Sequence, residues 1–236
     1  MPSVADSGTV SANDGIGDQL MDAWQVHHPG PLATSRLQRV RILVPEPAAG
    51  EVLVKVVACG VCRTDLHVVM GDLQPHRSPA TPGREVVVRV VRSGPGATRF
   101  GPGERIGIAW LRHTCGICRF CRSGRENLCL NLRFTGLDDD GGYSEYATVP
   151  EAYAYRLPDQ FDDVTAAALL CAGIIGFRAL ERAEVPLAGG SASTTSGYLR
   201  ISCRDRDSPR GNGSRRHEIR DSPPARARDR MRVSRR

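Results

Sequence analysis

Four cysteines in one short stretch have the spacing of a metal site. Cys115, Cys118, Cys121 and Cys129 follow the pattern C-x2-C-x2-C-x7-C. A structural zinc ion requires four thiolates at tetrahedral corners, about 2.3 Å from the metal. A tight loop supplies three of them, and the returning chain supplies the fourth. The spacing therefore predicts a structural zinc site. The alternatives are two disulfides, which a reducing compartment disfavours, or cysteines that share this spacing by chance.

Two further stretches combine polar residues that do chemistry in other proteins. Residues 59–67 read CGVCRTDLH, and residues 81–90 read TPGREVVVRV. In the second stretch, Arg84 and Glu85 follow a Pro-Gly turn and precede a run of β-branched residues, which is typical of a strand. The pair is either an ordinary surface ion pair or part of a site in which arginine replaces a functional residue.

The elements that must position these residues are short strands separated by Gly- and Pro-rich turns. This pattern runs from Asp22 to about Leu157 and predicts a mainly β barrel or sandwich. The predicted strands are EVLVKVVA (51–58), EVVVRVV (85–91), RIGIAW (105–110), YSEYATV (143–149) and AYAYRL (153–157). The cysteine-rich lobe, residues 111–132, interrupts the series.

The pattern changes after residue 160. Residues 162–183 begin with acidic residues and continue as an apolar, Ala-rich run, which predicts a helix buried on most faces. From Leu187 the chain is rich in Arg, Ser, Asp and Pro. We expect this segment to be disordered, because it has too few apolar residues to offset the entropy of ordering.

Taken together, these motifs resemble the zinc-dependent alcohol dehydrogenases of the medium-chain dehydrogenase/reductase superfamily. The resemblance rests on CGVCRTDLH, on PG-x-E at 82–85, on the cysteine lobe and on LLCAGIIGFRAL at 169–180, and it extends from about Met21 to Arg182. It implies a GroES-like β-barrel domain followed by a Rossmann domain that binds NAD(P). The implied reaction interconverts a primary or secondary alcohol and its aldehyde or ketone.

The resemblance also assigns a second, catalytic zinc site. It implies that Cys62 and Cys171 are the first and last ligands and that Glu85 is an acidic neighbour of the metal. Taken alone, Cys171 in an apolar helix is more simply read as a packing residue.

Three residues near Cys62 receive roles in the same way. The resemblance implies that Thr64 hydrogen-bonds the substrate alcohol and that His67 passes its proton to solvent. It implies that Asp65 orients a zinc ligand. Without the resemblance, Thr64 could equally be a turn hydroxyl.

Two features depart from the family pattern. Arg84 stands where the family has a histidine zinc ligand, and arginine has no lone pair to offer and stays protonated. After Gly189-Gly190 there is no G-x-G-x-x-G following a strand, so we assign no cofactor-binding residue. A shifted reading frame through residues 191–197 is compatible with Leu-Gly-Ile-Tyr-Asp-Phe-Gly. This motivates the hypothesis of a frameshift or C-terminal truncation, with a genuine basic tail as the alternative.

These observations predict four regions. Residues 1–20 form a disordered extension, with Met21 as an alternative start, and 21–160 form the GroES-like catalytic domain. Residues 161–186 are the first helix of a truncated Rossmann domain, and 187–236 are a disordered tail.

The distribution of charge and of apolar residues bears on which part of the chain is basic and on whether the chain crosses a membrane. Residues 187–236 hold 13 of the 32 basic and five of the 26 acidic residues, so the net charge of +6 comes from the tail. The sequence shows no secretory signal and no apolar stretch near 18 residues, which predicts a cytoplasmic protein without a membrane span.

We expect zinc in the structural lobe and, because of Arg84, a compromised catalytic zinc site. We expect this chain to be inactive and the homo-oligomer interface of the family to be lost. The alternatives are a zinc-stabilised module whose basic tail contacts nucleic acid, and a reductase completed by another chain's cofactor site.

Overall fold

The computed structural model describes residues 18–34, 36–183, 192–195 and 199–202. Within them the chain is mainly β, as the sequence predicted. The strands are Leu20–Val26 (β1), Leu37–Leu43 (β2), Glu51–Cys59 (β3), Val86–Ser93 (β4), Arg105–Ile108 (β5), Leu111–His113 (β6), Arg133–Phe134 (β7), Tyr146–Pro150 (β8), Ala154–Arg156 (β9), Ala192–Thr195 (β10) and Leu199–Ser202 (β11).

Helices connect and follow the strands. The α-helices are Arg63–Met70 (α1), Arg119–Arg122 (α2), Asp163–Ala168 (α3) and Ile174–Ala183 (α4), and a π-helical turn, Leu169–Gly173, joins the last two. Short 3-10 turns lie at Leu32–Thr34, Glu126–Leu128 and Glu151–Tyr153.

A five-stranded antiparallel sheet holds the core. Its strand order is β8-β3-β4-β5-β9, while β1 and β2, β6 and β7, and β10 and β11 form separate antiparallel pairs. One face of the sheet packs a valine- and isoleucine-rich cluster, to which Val52, Val86, Val88 and Ile106 belong. The sheet therefore provides the rigid scaffold for the loops at its ends.

The central strand β4 is covered on both faces, which explains its almost unbroken apolar sequence. Val86 and Val88 face the main core, and Val87 packs against Ala166, Ala167 and Leu170. Because α3 and the π turn lie directly on the sheet, the first residues of β4 are close to the helical segment.

The helical segment is less buried than the sequence predicted. Within the part of the chain that the structure describes, Val164, Ile174, Ile175 and Phe177 are each more than half exposed. The prediction of burial on most faces is therefore wrong: one face packs on the sheet, whereas these four side chains are mostly exposed.

The segment Asp163–Ala183 is long and apolar enough to cross a membrane by length and composition. The absence of a membrane span therefore remains a prediction. The packing of Ala166, Ala167 and Leu170 against β4 supports it.

Parts of the predicted extension and tail lie outside the described residues, among them residues 1–17, Cys203 and everything beyond it. The strands β10 and β11 fall within the segment 187–236, where the sequence predicts no regular element.

Candidate active site and zinc lobe

Helix α1 carries Cys62 and Asp65 into the interior. Cys62 is the N-cap residue, and Asp65 completes a capping box because its Oδ2 accepts the Cys62 amide hydrogen at 2.8 Å. The Asp65 side chain is almost fully buried. The first turn of this helix therefore holds the Cys62 thiol in a defined position.

The turn before β4 brings a second set of groups to the same place. Gly83 has φ of +100°, and its amide donates to Asp65 Oδ1 at 3.0 Å. A Cβ atom there would lie 2.8 Å from the Gly142 backbone nitrogen, so the position requires glycine. The turn directs the next two side chains, Arg84 and Glu85, inward, and both are buried.

The π-helical turn supplies the third element. Cys171 lies within Leu169–Gly173, and the wider π turn alters the direction of side chains along the helix. Leu170 anchors the turn on the sheet, where a Cβ at Gly107 would lie 2.8 Å from its methyl carbon. The glycine in β5 thus allows the close approach that brings Cys171 to the site.

These elements bring Cys62, Glu85 and Cys171 together. Their ligand atoms all lie within 4.8 Å of one another, and the two sulfur atoms are 3.8 Å apart. A tetrahedral site with zinc–sulfur bonds of about 2.3 Å has sulfur–sulfur edges of about 3.8 Å. The three side chains therefore fit a zinc ion as a three-ligand site with one open position.

Protons compete for this site. Burial raises the pKa of the Cys171 thiol to about 12, with further contributions from the negative charges of Cys62 and Glu85. Burial also raises the pKa of the Glu85 carboxyl above its usual value. Since zinc binds the deprotonated forms, binding must displace these protons.

Arg84 is the buried cation of this region. It is 2% exposed, and its Nε lies 3.7 Å from Asp65 Oδ1. The guanidinium carbon lies 5.6 Å from the centroid of the Trp110 ring. Arg84 and Glu85, at the start of β4, are therefore not a surface ion pair.

A cleft of about 480 Å³ opens beside these groups. Thr64, Arg84 and Cys171 line it together with a largely apolar wall. The Thr64 hydroxyl also lies 3.7 Å from Cys62 Sγ.

His67 lies outside the lining of this cleft, as far as the described residues show. Its Nδ1 is 2.9 Å from Asp72 Oδ2 at the surface. His67 lies three residues after Thr64 on α1. Residues at this spacing share one face of a helix.

Sequence reasoning missed most of the cleft wall. The wall includes Trp110, Asn127, Phe134, Tyr155 and Ile174. The rings of Trp110 and Phe134 stack with their centroids 4.1 Å apart. Trp110 is the last residue of the predicted strand 105–110, and an aromatic residue at a strand end was the available signal.

The four lobe cysteines also converge. Their sulfur atoms lie within 4.8 Å of one another, and three pairs are 3.5 to 4.0 Å apart. These distances match tetrahedral edges about a zinc ion and exceed the disulfide length of about 2.05 Å. The lobe therefore fits a closed four-thiolate zinc site.

Backbone amides prepare the lobe for a metal. A hydrogen bond from the Cys121 amide contributes most to lowering the pKa of the Cys118 thiol to about 6. A hydrogen bond from the Cys115 amide likewise lowers the pKa of the Cys129 thiol. Burial instead raises the pKa of Cys121 to about 11. A loop that already stabilises two thiolates is suited to zinc.

Comparison with known proteins places this architecture in a family. Residues 48–159 match the alcohol dehydrogenase GroES-like domain. The chain is 56% identical over 174 residues to a probable alcohol dehydrogenase, AdhA, of Mycobacterium tuberculosis, covering 72% of this chain and 50% of that protein.

Solved structures agree with this. A cobalt- and zinc-bound thermostable alcohol dehydrogenase from Pyrobaculum aerophilum aligns with a TM-score of 0.65 at 31% identity, covering 71% of this chain and 50% of that one. A putative zinc-binding dehydrogenase from Sinorhizobium meliloti, bound to NADP, aligns with a TM-score of 0.57 at 36% identity, covering 64% and 42%.

The fold and the two cysteine-containing sites thus define an alcohol dehydrogenase GroES-like domain. The chain belongs to the zinc-dependent alcohol dehydrogenases of the medium-chain dehydrogenase/reductase superfamily, as the sequence motifs predicted. It spans about half the length of the curated relatives it matches.

Proposed function

We propose that this chain is the zinc- and substrate-binding part of an alcohol dehydrogenase that interconverts a small alcohol and its aldehyde or ketone with NAD(P). The observation that carries the proposal is the convergence of Cys62, Glu85 and Cys171 beside a cleft lined by Thr64. Relatives with printed alcohol dehydrogenase names and zinc- and NADP-bound structural neighbours support it.

With a histidine at position 84, Cys62, Glu85 and Cys171 would hold zinc, which supplies Lewis-acid polarisation of an alcohol oxygen. Thr64 hydrogen-bonds the alcohol in the cleft. His67 releases the proton at the surface, where Asp72 orients its ring. Asp65 acts as a positioning residue, because it fixes the amide of Cys62 and the turn that carries Glu85.

We further propose that Arg84 keeps this chain inactive. A guanidinium cannot donate a lone pair to zinc, and its fixed positive charge opposes a second cation in the same cleft. The lobe site is separate and should bind its zinc normally. The expected metal content is therefore about one zinc ion per chain.

We expect a cytoplasmic protein without a membrane span, and we expect the family's homo-oligomer interface to be lost. Contact with nucleic acid through the basic tail depends on residues that lie almost entirely outside the described part of the chain, so it stays a prediction.

The decisive test joins residues 21–182 of this chain to the C-terminal remainder of the Mycobacterium tuberculosis relative. With Arg84→His, this chimaera should oxidise benzyl alcohol with NAD or NADP. With Arg84 retained, the rate should be at least about 100-fold lower, because even outer groups of a metal site change activity 10- to 100-fold.

Three controls separate the parts of the proposal. The isolated chain should show no NAD(P)-linked turnover, while the Geobacillus stearothermophilus relative serves as the positive control. The additional change Cys171→Ser should remove the activity of the chimaera that carries Arg84→His. A folded, cofactor-binding chimaera that is inactive with either residue at this position would refute the function, and equal activity with both would refute the role of Arg84.

A further inference from the structure

The wall of the cleft contains a buried cation, Arg84, with two donor nitrogens left unpaired within the described chain. Among the residues that the structure describes, neither Nε nor Nη2 of Arg84 has a hydrogen-bond partner. The side chain is 2% exposed and lines the cleft. Buried polar groups in native proteins are nearly always paired, so an unpaired guanidinium facing a cleft suggests that a ligand completes it.

The nearest carboxylate balances the charge of Arg84 but does not use its donors. Asp65 Oδ1 lies 3.7 Å from Nε, which is beyond hydrogen-bond distance. The two Asp65 oxygens instead accept the backbone amides of Cys62 and Gly83 at 2.8 and 3.0 Å. The guanidinium therefore retains donors for an anion from outside the chain.

The rest of the cleft suits an apolar organic group. Apolar side chains form most of its wall, among them Trp110, Phe134, Leu170, Ile174 and Ile175. The volume of about 480 Å³ lies within the range of small-molecule sites, about 300–1,000 Å³. An inorganic anion would leave this apolar surface uncovered.

We propose that the cleft binds a monocarboxylate with an aromatic or branched aliphatic tail, and that Arg84 holds its carboxylate. A planar guanidinium matches a carboxylate geometrically, and the pairing is strong where water is excluded. A ligand with two negative charges is disfavoured, because Asp65 and Glu85 are already close. The proposal goes beyond alcohol oxidation and does not require zinc at the second site.

Isothermal titration calorimetry on the zinc-loaded full chain tests this with benzoate and its uncharged analogue benzamide. Benzoate should bind at least about tenfold more tightly, as expected for hydrogen bonds to a charged group. Inorganic phosphate should not compete. Equal affinity for the two compounds, no benzoate binding, or strong competition by phosphate would each overturn the proposal.

Variants then locate the ligand. Arg84→Met should weaken benzoate at least about tenfold and leave benzamide unchanged, whereas Arg89→Gln, on the exposed side of β4, should change neither. Retained benzoate affinity in folded Arg84→Met would assign the carboxylate to another group and overturn the proposal.

Two further measurements keep the test decisive. Benzoate should change the fluorescence of Trp110, and Trp110→Phe should remove that change while Trp24 remains. An unchanged signal would contradict binding in this cleft. If the Arg84 variants do not fold, the wild-type comparison of benzoate with benzamide still decides the matter.

Discussion

Histidine in place of Arg84 is expected to raise the zinc content from about one to about two ions per chain. The substitution adds a nitrogen lone pair beside Cys62, Glu85 and Cys171 and removes a fixed positive charge. At an effective dielectric constant of 20, two unit charges 4 Å apart interact by about 4 kcal/mol. Since about 1.4 kcal/mol corresponds to tenfold in affinity, even a fraction of this repulsion is measurable.

Metal analysis after dialysis against micromolar zinc measures this effect. Arg84→Gln removes the charge without adding a ligand, so it should bind the second zinc at least about tenfold more weakly than Arg84→His. Arg89→His places the same new ligand on the exposed side of β4 and should leave the content at one. A folded Arg84→His protein that still holds about one zinc would show that the three-ligand group does not form a metal site.

Removing the carboxylate of Asp65 is expected to lower the free energy of unfolding by about 3–5 kcal/mol, which is the usual cost of breaking a buried ion pair from one side. Asp65 accepts two backbone amides and lies 3.7 Å from the guanidinium of Arg84. In Asp65→Ala these amides lose their acceptor, and Arg84 is left as a buried charge without a counterion. Urea denaturation of the zinc-loaded protein measures the change.

Asp72→Ala is the matched control, because that exposed carboxylate contacts His67 at the surface and should contribute at most about 1 kcal/mol. The double variant Asp65→Ala with Arg84→Met should recover part of the loss, since the unpaired charge is gone. A loss below about 1 kcal/mol in Asp65→Ala would contradict the interpretation that this carboxylate holds the turn and the helix start together.

Local sequence patterns predicted most of the sheet but little of its surroundings. The runs at 51–58 and 85–91 became β3 and β4 because their β-branched residues fit a covered sheet. Helix α1 was not predicted: it is short, and its N-cap is a cysteine rather than a Ser, Thr, Asp or Asn. The exposure of the Ile174–Ala183 helix was missed because apolar composition does not reveal which face a neighbour covers.

The candidate site shows a similar division. The lobe followed from local spacing, since its four cysteines lie within 15 residues of chain. Cys62 and Cys171 are 109 positions apart, and only the family resemblance brought them together before the structure did. The unpaired donors of Arg84 depend on Asp65 being occupied by two amides, which no sequence pattern encodes.

X-ray absorption at the zinc edge of the wild-type chain tests the central claim most directly, because it reports both the number of zinc ions and their ligands. We predict about one zinc per chain with a first shell of four sulfur atoms at about 2.3 Å, and loss of this signal in Cys118→Ser but not in Cys62→Ser. About two tightly held zinc ions, with oxygen or nitrogen in the averaged first shell, would contradict the account, since the second site would then bind metal despite Arg84.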